Sequence, residues 1–235
     1  MKRPTLTLKY AAITLLLAGI TSTSFAEDTA SQTCPTPIML SSGWYLGLQG
    51  GYDSFKVKTN VTTPGGASTL VTNPSMNAIG WTGGMMLGYG MMLNDWFYTG
   101  AEIFANLTDA ERYFTNTSAG STYSNKVKVK STYGIGILPG IRFTDSTLTY
   151  ARLGWNSATF KTTETVTSVA TATRNNTSNG FVVGVGIETY TNTNWSLRGE
   201  FDHTWYSSYN TKTVYTTGVK PSDNQFMLAM LYHFT

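Results

Sequence analysis

The chain has 235 residues, the size of one domain, and only 12% of them are charged against 13% aromatic, with 23 glycines. Disordered chains are charge-rich and aromatic-poor, so that class is excluded. The single long apolar run sits near the N-terminus, which excludes a multi-helix membrane protein. An all-β protein with few charges and many rings remains.

Lys2, Arg3 and Lys9 flank and precede an apolar stretch from Ala11 to Ile20, and Ser24-Phe25-Ala26 follows as a small-x-Ala cleavage site. This is the layout of a secretory signal peptide over residues 1–26, too short in its apolar part for the ~20 residues of a membrane-spanning helix. Three of the 16 basic residues leave with it and all 13 acidic residues stay, so the mature chain is formally neutral. No clustered basic face remains to bind nucleic acid. Residues 27–42, with Pro35 and Pro37, read as a periplasmic linker, and the lone Cys34 in it cannot form an internal disulfide.

From residue 43 the dominant period is two, the mark of strands facing different solvents on their two sides. Trp44, Leu46, Leu48, Gly50 and Tyr52 alternate with Tyr45, Gly47, Gln49, Gly51 and Asp53. The same split recurs at 133–143, at 181–190 and in the final stretch, where Phe226, Leu228, Met230, Tyr232 and Phe234 alternate with Gln225, Met227, Ala229, Leu231 and His233. Eight strands are expected, near 43–59, 78–93, 96–113, 126–143, 147–162, 179–191, 195–210 and 223–235. Tight turns at Asn94-Asp95, Thr144-Asp145-Ser146 and Thr191-Asn192-Thr193-Asn194 alternate with longer Thr-, Ser-, Asn- and Gly-rich connections near 60–77, 114–125, 163–178 and 211–222.

Alternating short and long connections suit a transmembrane up-and-down antiparallel β-barrel, with short periplasmic turns and four long extracellular loops. The rings agree. On the apolar parity Trp44, Phe97, Phe143, Trp195 and Phe234 fall at the short-turn ends, and Tyr52, Trp81, Tyr133, Phe181, Trp205 and Phe226 fall toward the loops. Two such bands match the aromatic girdles of outer-membrane barrels, whereas a soluble lipocalin-like barrel would turn its apolar faces inward. The location expected is the outer membrane of a Gram-negative bacterium.

Gly43-Trp44-Tyr45-Leu46-Gly47, Thr149-Tyr150-Ala151-Arg152-Leu153-Gly154, Val185-Gly186-Ile187-Glu188 and the run from Asn194 to Asp202 resemble small outer-membrane barrels of the OmpA-like and opacity-protein type. The resemblance spans nearly the whole mature chain and speaks for the barrel more than for a function. It implies that Phe226, Tyr232 and Phe234 form a C-terminal signal read by the barrel-assembly machinery, although Thr235 follows the last aromatic. No periplasmic domain of the kind that tethers larger relatives to peptidoglycan is expected after the barrel.

The inward parity collects Glu102, Arg142, Arg152, Glu188, Arg198, Glu200 and Asp202. Isolated buried charges are costly, so an ion-pair network is expected inside, in a lumen that eight strands leave just wide enough for side chains. A narrow, gated, porin-like conduit is the alternative. Lys56, Lys58 and Lys161 carry outward parity beyond the bilayer-spanning length, where lysine can meet the phosphates of lipopolysaccharide. No enzyme is expected. A lipid-modifying hydrolase would need Ser beside His, but His203 stands about 13 Å along the strand from Ser207 at ~3.3 Å per residue, and His233 faces inward, where it can cap the ion network. Two separated histidines and one cysteine offer no metal site, and no cofactor is implied. Met85, Met86, Met91 and Met92 alternate faces and read as packing. Lys126, Lys128 and Lys130 form a basic strand extension. Binding concentrates on loops carried by rigid scaffolds, so adhesion or contact with a host-cell or matrix ligand is the leading role, and a purely structural surface protein is the other.

Overall fold

The computed structural model describes residues 42–62, 75–118, 121–166, 170–212 and 216–234. Residues 1–41, where the signal peptide, Cys34 and nearly all of the linker are expected, and Thr235 lie outside them. Every regular element among the described residues is a strand: β1 (Gly43–Thr62), β2 (Ser75–Met92), β3 (Phe97–Thr108), β4 (Glu111–Ser118), β5 (Ser121–Ile137), β6 (Gly140–Arg142), β7 (Thr147–Val166), β8 (Ala170–Tyr190), β9 (Trp195–Tyr206), β10 (Tyr209–Lys212) and β11 (Thr216–Phe234). All pairings are antiparallel, and β1 pairs with both β2 and β11, so the sheet closes into a barrel.

Eleven strands replace the eight unbroken ones expected, because three are interrupted. β4 keeps the neighbours of β3, β6 keeps those of β5, and β10 continues beside β11 as β9 does. Pro139 cannot donate to the ladder, yet Leu138 and Gly100 still exchange backbone bonds across the gap, at 2.8 and 3.2 Å. The backbone of Ser207 likewise donates to Asn179 O at 2.7 Å beside the break before β10.

Hydrogen-bonded rows spiral around this ring. A row leaving β1 at Trp44 passes through Tyr89, Ala101, Ile137, Leu153, Val183, His203 and Asn224, and returns to β1 at Ser54, ten residues nearer the loop end. That stagger is the shear that tilts barrel strands by about 35–45°.

The connections expected as loops at 114–125, 163–178 and 211–222 are largely strand. β7 and β8 pair out to Val166 and Ala170, and hydroxyls join Thr163 to Thr173 at 3.1 Å and Thr165 to Thr171 at 3.3 Å. Threonine is β-branched and suits a pleated surface, so a composition that suggests loops builds long hairpins instead.

Between the girdles the outer face is apolar. Leu48, Leu228, Val185 and Ile135 are each more than half exposed, and Trp81 and Trp205 mark the loop-side rim. Above that rim the polarity inverts. On β1 the apolar residues switch from the outward Tyr52 to the inward Phe55 and Val57, while Lys56 and Lys58 face out. Phe55, Ala78, Ala110, Val127, Val129, Ala158, Phe160 and Tyr206 pack into one buried cluster inside the upper barrel. Apolar-out suits lipid and apolar-in suits water, so the inversion marks the level at which the strands leave the membrane.

A β-bulge between Val129 and Ser131 helps to build this cluster. The extra residue, Lys130, reverses the parity of β5, so Val127 and Val129 point inward although Tyr133, Ile135 and Ile137 of the same parity point out.

Candidate functional site

Six of the seven inward charges meet in the barrel. Arg152 Nη2 lies 2.5 Å from Glu102 Oε1, and its Nε lies 2.9 Å from Glu200 Oε1 and 3.7 Å from Asp202 Oδ2. Arg198 Nη1 lies 2.5 Å from Glu102 Oε2, and its Nη2 lies 2.8 Å from Glu188 Oε2. Both arginines are almost wholly buried, at 2% and 3% exposure. Two guanidinium groups therefore serve four carboxyl groups, and hydroxyls make up part of the difference. Tyr45 OH donates to Glu102 at 2.9 Å, Tyr150 OH to Glu200 at 2.6 Å, and Ser196 Oγ to Glu188 at 2.7 Å. Each arginine also lies over a ring, Arg152 on Phe104 and Arg198 on Tyr45 and Tyr150.

Glycine makes the tyrosines possible. A Cβ at Gly88 would collide with the Tyr45 ring, and one at Gly186 with the Tyr150 ring.

Arg142 is a correction. It belongs to none of these ion pairs and is half-buried at the end of β6, beside the short turn. Parity assigns a face but not a height, and at the mouth of the barrel the inner face meets water.

The partners that the sequence reading missed are Tyr45, Tyr150 and Ser196, all on inward parity, which was the only available signal. His233 closes the turn end as expected, with Nε2 2.9 Å from Ser196 Oγ and 3.1 Å from Glu188 Oε1, and Nδ1 3.0 Å from Tyr190 OH. Tyr98, Leu138, Leu148, Tyr150 and Tyr190 pack beneath. On the loop side comes a polar belt, where Gln49 Nε2 donates to Asn106 at 2.6 Å, Gln225 Nε2 to Asp53 at 2.5 Å and Asn156 Nδ2 to Tyr206 OH at 3.0 Å. The buried cluster around Phe55, Phe160 and Tyr206 lies above it.

Among the described residues the side-chain hydrogen bond of His203 runs to Asn224 and not to a serine. His203 Nδ1 is 2.7 Å from Asn224 Oδ1 and its ring meets Trp205 edge-on at 4.3 Å, while Ser207 and Ser208 fall in the break after β9. Ser196 and His233 do touch, but Ser196 is fully buried and donates to Glu188. Among the described residues no group of three or more His, Cys, Asp or Glu is disposed to hold a metal ion.

The rim lysines separate into two places. Lys56 and Lys58 are exposed on β1, whereas Lys161 is half-buried on β7, across the ring. Nor are Lys126 and Lys128 a free basic edge. Lys126 lies 3.1 Å from Glu111, and Lys128 lies 3.1 Å from Asp109. Hydrogen bonds to the Tyr113 hydroxyl and to Glu111 raise the Lys126 amine above the ordinary lysine range. At the C-terminus Phe226, Tyr232 and Phe234 all face outward, with Tyr232 edge-on to Phe234 at 5.2 Å and to Trp195 at 5.1 Å.

Residues 12–234 match the model of the outer membrane protein beta-barrel domain. The chain belongs to that family. It is a protein of the Gram-negative outer membrane. It is 27% identical over 179 residues to outer membrane protein P1 of Coxiella burnetii, covering 73% of this chain and 71% of that protein. Among solved structures, OprG of Pseudomonas aeruginosa is similar over 85% of this chain and 99% of its own, at 15% identity and a TM-score of 0.48. Ail, the attachment invasion locus protein of Yersinia pestis, is similar over 83% of this chain and 100% of its own, at 14% identity and a TM-score of 0.43.

Proposed function

We propose that this barrel is a non-enzymatic surface protein that engages a host-cell or matrix ligand through the hairpins above its loop-side girdle. The observation that carries this reading is the polarity inversion on β1, where Phe55 and Val57 turn inward while Lys56 and Lys58 face out. It gives the hairpins a packed core of their own, and so a stiff, water-facing platform on which binding segments can be held in place. The filled interior argues in the same direction. With ion pairs at mid-height, the histidine cap below and the aromatic cluster above, little lumen is left for a conduit of eight ladders. In this reading the ion network is a packing device, and Phe226, Tyr232 and Phe234 serve as the signal for the barrel-assembly machinery.

The test compares cells displaying the intact barrel with cells displaying versions whose hairpin tips are shortened, after equal folding is verified by the heat-dependent gel shift. Attachment to host cells or immobilised matrix proteins should be lost with the tips. Equal attachment by both forms would remove the adhesion reading, and no attachment by either would leave a structural surface protein.

A further inference from the structure

We infer that a groove on the outer wall, formed by β1, β9 and β11 just above the loop-side girdle, binds the phosphate of an outer-leaflet lipid headgroup. Lys58 and Lys220 stand directly opposite each other on the antiparallel β1–β11 pair, and both are exposed. Like charges so placed repel. Lys56 follows on the same face, paired with Ser222. Among the described residues none of these three lysines forms an ion pair with a carboxylate, and the nearby Asp53 and Asp223 are buried on the inner face. The contrast with the other lysine pair is informative. Lys128 and Lys161 also face each other across β5 and β7, but Asp109 lies 3.1 Å from Lys128. Among the described residues the β1–β11 pair has no protein anion beside it.

The groove has a shape as well as a charge. It has a volume of about 190 Å³ and is lined by Lys58, Lys220, His203, Trp205, Ser222 and the neighbouring wall. Ser222 offers a hydroxyl donor. His203 Nδ1 lies 2.7 Å from Asn224 Oδ1, a contact that holds the ring in the groove wall. Trp205 supplies an apolar edge, as a lipid requires but a free ion does not.

Height places the groove at the headgroups. The row from Trp205 through Ser222 to Lys56 climbs toward the loops, because rows rise in that direction around the ring. A ladder step of about 4.8 Å tilted by about 40° rises about 3 Å. Lys56, Lys220 and Lys58 therefore stand roughly 6–11 Å above Trp205, itself at the membrane interface. The ligand chemistry is a phosphate monoester or diester on an amphiphile, as on the phosphorylated glycolipid of this leaflet.

Native mass spectrometry of the folded barrel in detergent micelles tests the site, with bisphosphorylated lipid A, the same lipid stripped of phosphate, and inorganic phosphate as separate probes. The intact barrel should carry one tightly held bisphosphorylated lipid. The K58Q/K220Q variant should hold it about thirty-fold more weakly, from two cationic contacts at a headgroup surface, while K128Q/K161Q should hold it as the parent does. The heat-dependent gel shift verifies that each variant is folded. Equal retention by K58Q/K220Q and the parent would overturn the assignment, and so would equal retention of the phosphate-free lipid. Inorganic phosphate binding as tightly as the lipid would overturn the lipid source. Failure of the adhesion test leaves this one untouched, because the groove lies below the hairpin tips.

Discussion

Arg152 and Glu102, fifty residues apart in the chain, meet at 2.5 Å in the middle of the barrel. The other oxygen of that carboxylate is held by Arg198 at the same distance. Glu102 is therefore the bridge between two buried guanidinium groups, and β3, β7 and β9 are tied across the lumen through one side chain. This is a tertiary tie independent of the backbone ladders, and it spans strands that are not all neighbours.

Glu102→Ala should destabilise the folded barrel by about 3–5 kcal/mol, because it leaves two buried cations short of a partner. Urea unfolding in lipid vesicles, followed by the gel shift, measures this. Glu102→Leu combined with Arg152→Met should cost less than the two single changes added together, with a coupling of about 0.5–3 kcal/mol. Strict additivity would mean that the two residues do not act as a unit.

The polarity inversion on β1 gives a depth scale. Leu48 is 66% exposed on the outer wall between the girdles, and Ser54 lies above Tyr52 on the same face. Leu48→Arg should cost about 2–4 kcal/mol and Ser54→Arg at most about 1 kcal/mol, following the fall of the penalty from the midplane to the interface. In a Cys34→Ser background, Lys56→Cys on whole cells should react with a membrane-impermeant maleimide and Leu48→Cys should not. Reaction at both positions would place the membrane boundary elsewhere.

The Lys126 amine gives a pH prediction. Its hydrogen bonds to Tyr113 and Glu111 raise its folded pKa above the unfolded value. A cation held this way contributes stability that is fully present below the unfolded lysine value of about 10.4 and fades as pH rises through the folded one. The pair is solvent-exposed, so the effect belongs to the titration curve more than to stability. An NMR titration of the Lys126 side chain should show its midpoint move down in Tyr113→Phe. An unmoved midpoint would remove the Tyr113 contact as its cause.

Much of this was legible in residue parity, because lipid outside and packed polar groups inside impose opposite demands on alternate positions. Leu46 and Gln49, or Leu197 and Arg198, declare their faces without any structure. What parity lacks is height and continuity. Arg142 shares the inner face with Arg152 yet ends at the barrel mouth, where water makes a partner unnecessary. The Thr-rich connections carry the composition of loops, but cross-strand pairs such as Thr163 and Thr173 make them hairpins. The hydroxyl partners of the ion network were hidden for another reason, since a tyrosine on inward parity looks the same whether it fills space or donates to a carboxylate.

Lys130 shows the cost of a single uncounted residue. Carried without interruption from Tyr133, the parity of β5 would put Lys126, Lys128 and Lys130 inside and Val127 and Val129 outside. The bulge reverses this, seating both valines in the upper cluster and letting Lys128 reach Asp109. Because a one-residue slip flips every side chain beyond it, deleting Lys130 should drive Lys126 and Lys128 into the aromatic cluster. Two unpaired cations in an apolar interior cost several kcal/mol each, so the deletion should abolish the folded band in the gel shift or leave the β4–β5 hairpin open to protease. Lys130→Ser, which keeps the extra residue, should fold as the parent does. A deletion variant as stable and protease-resistant as the parent would show that the bulge does not set the register of the upper barrel.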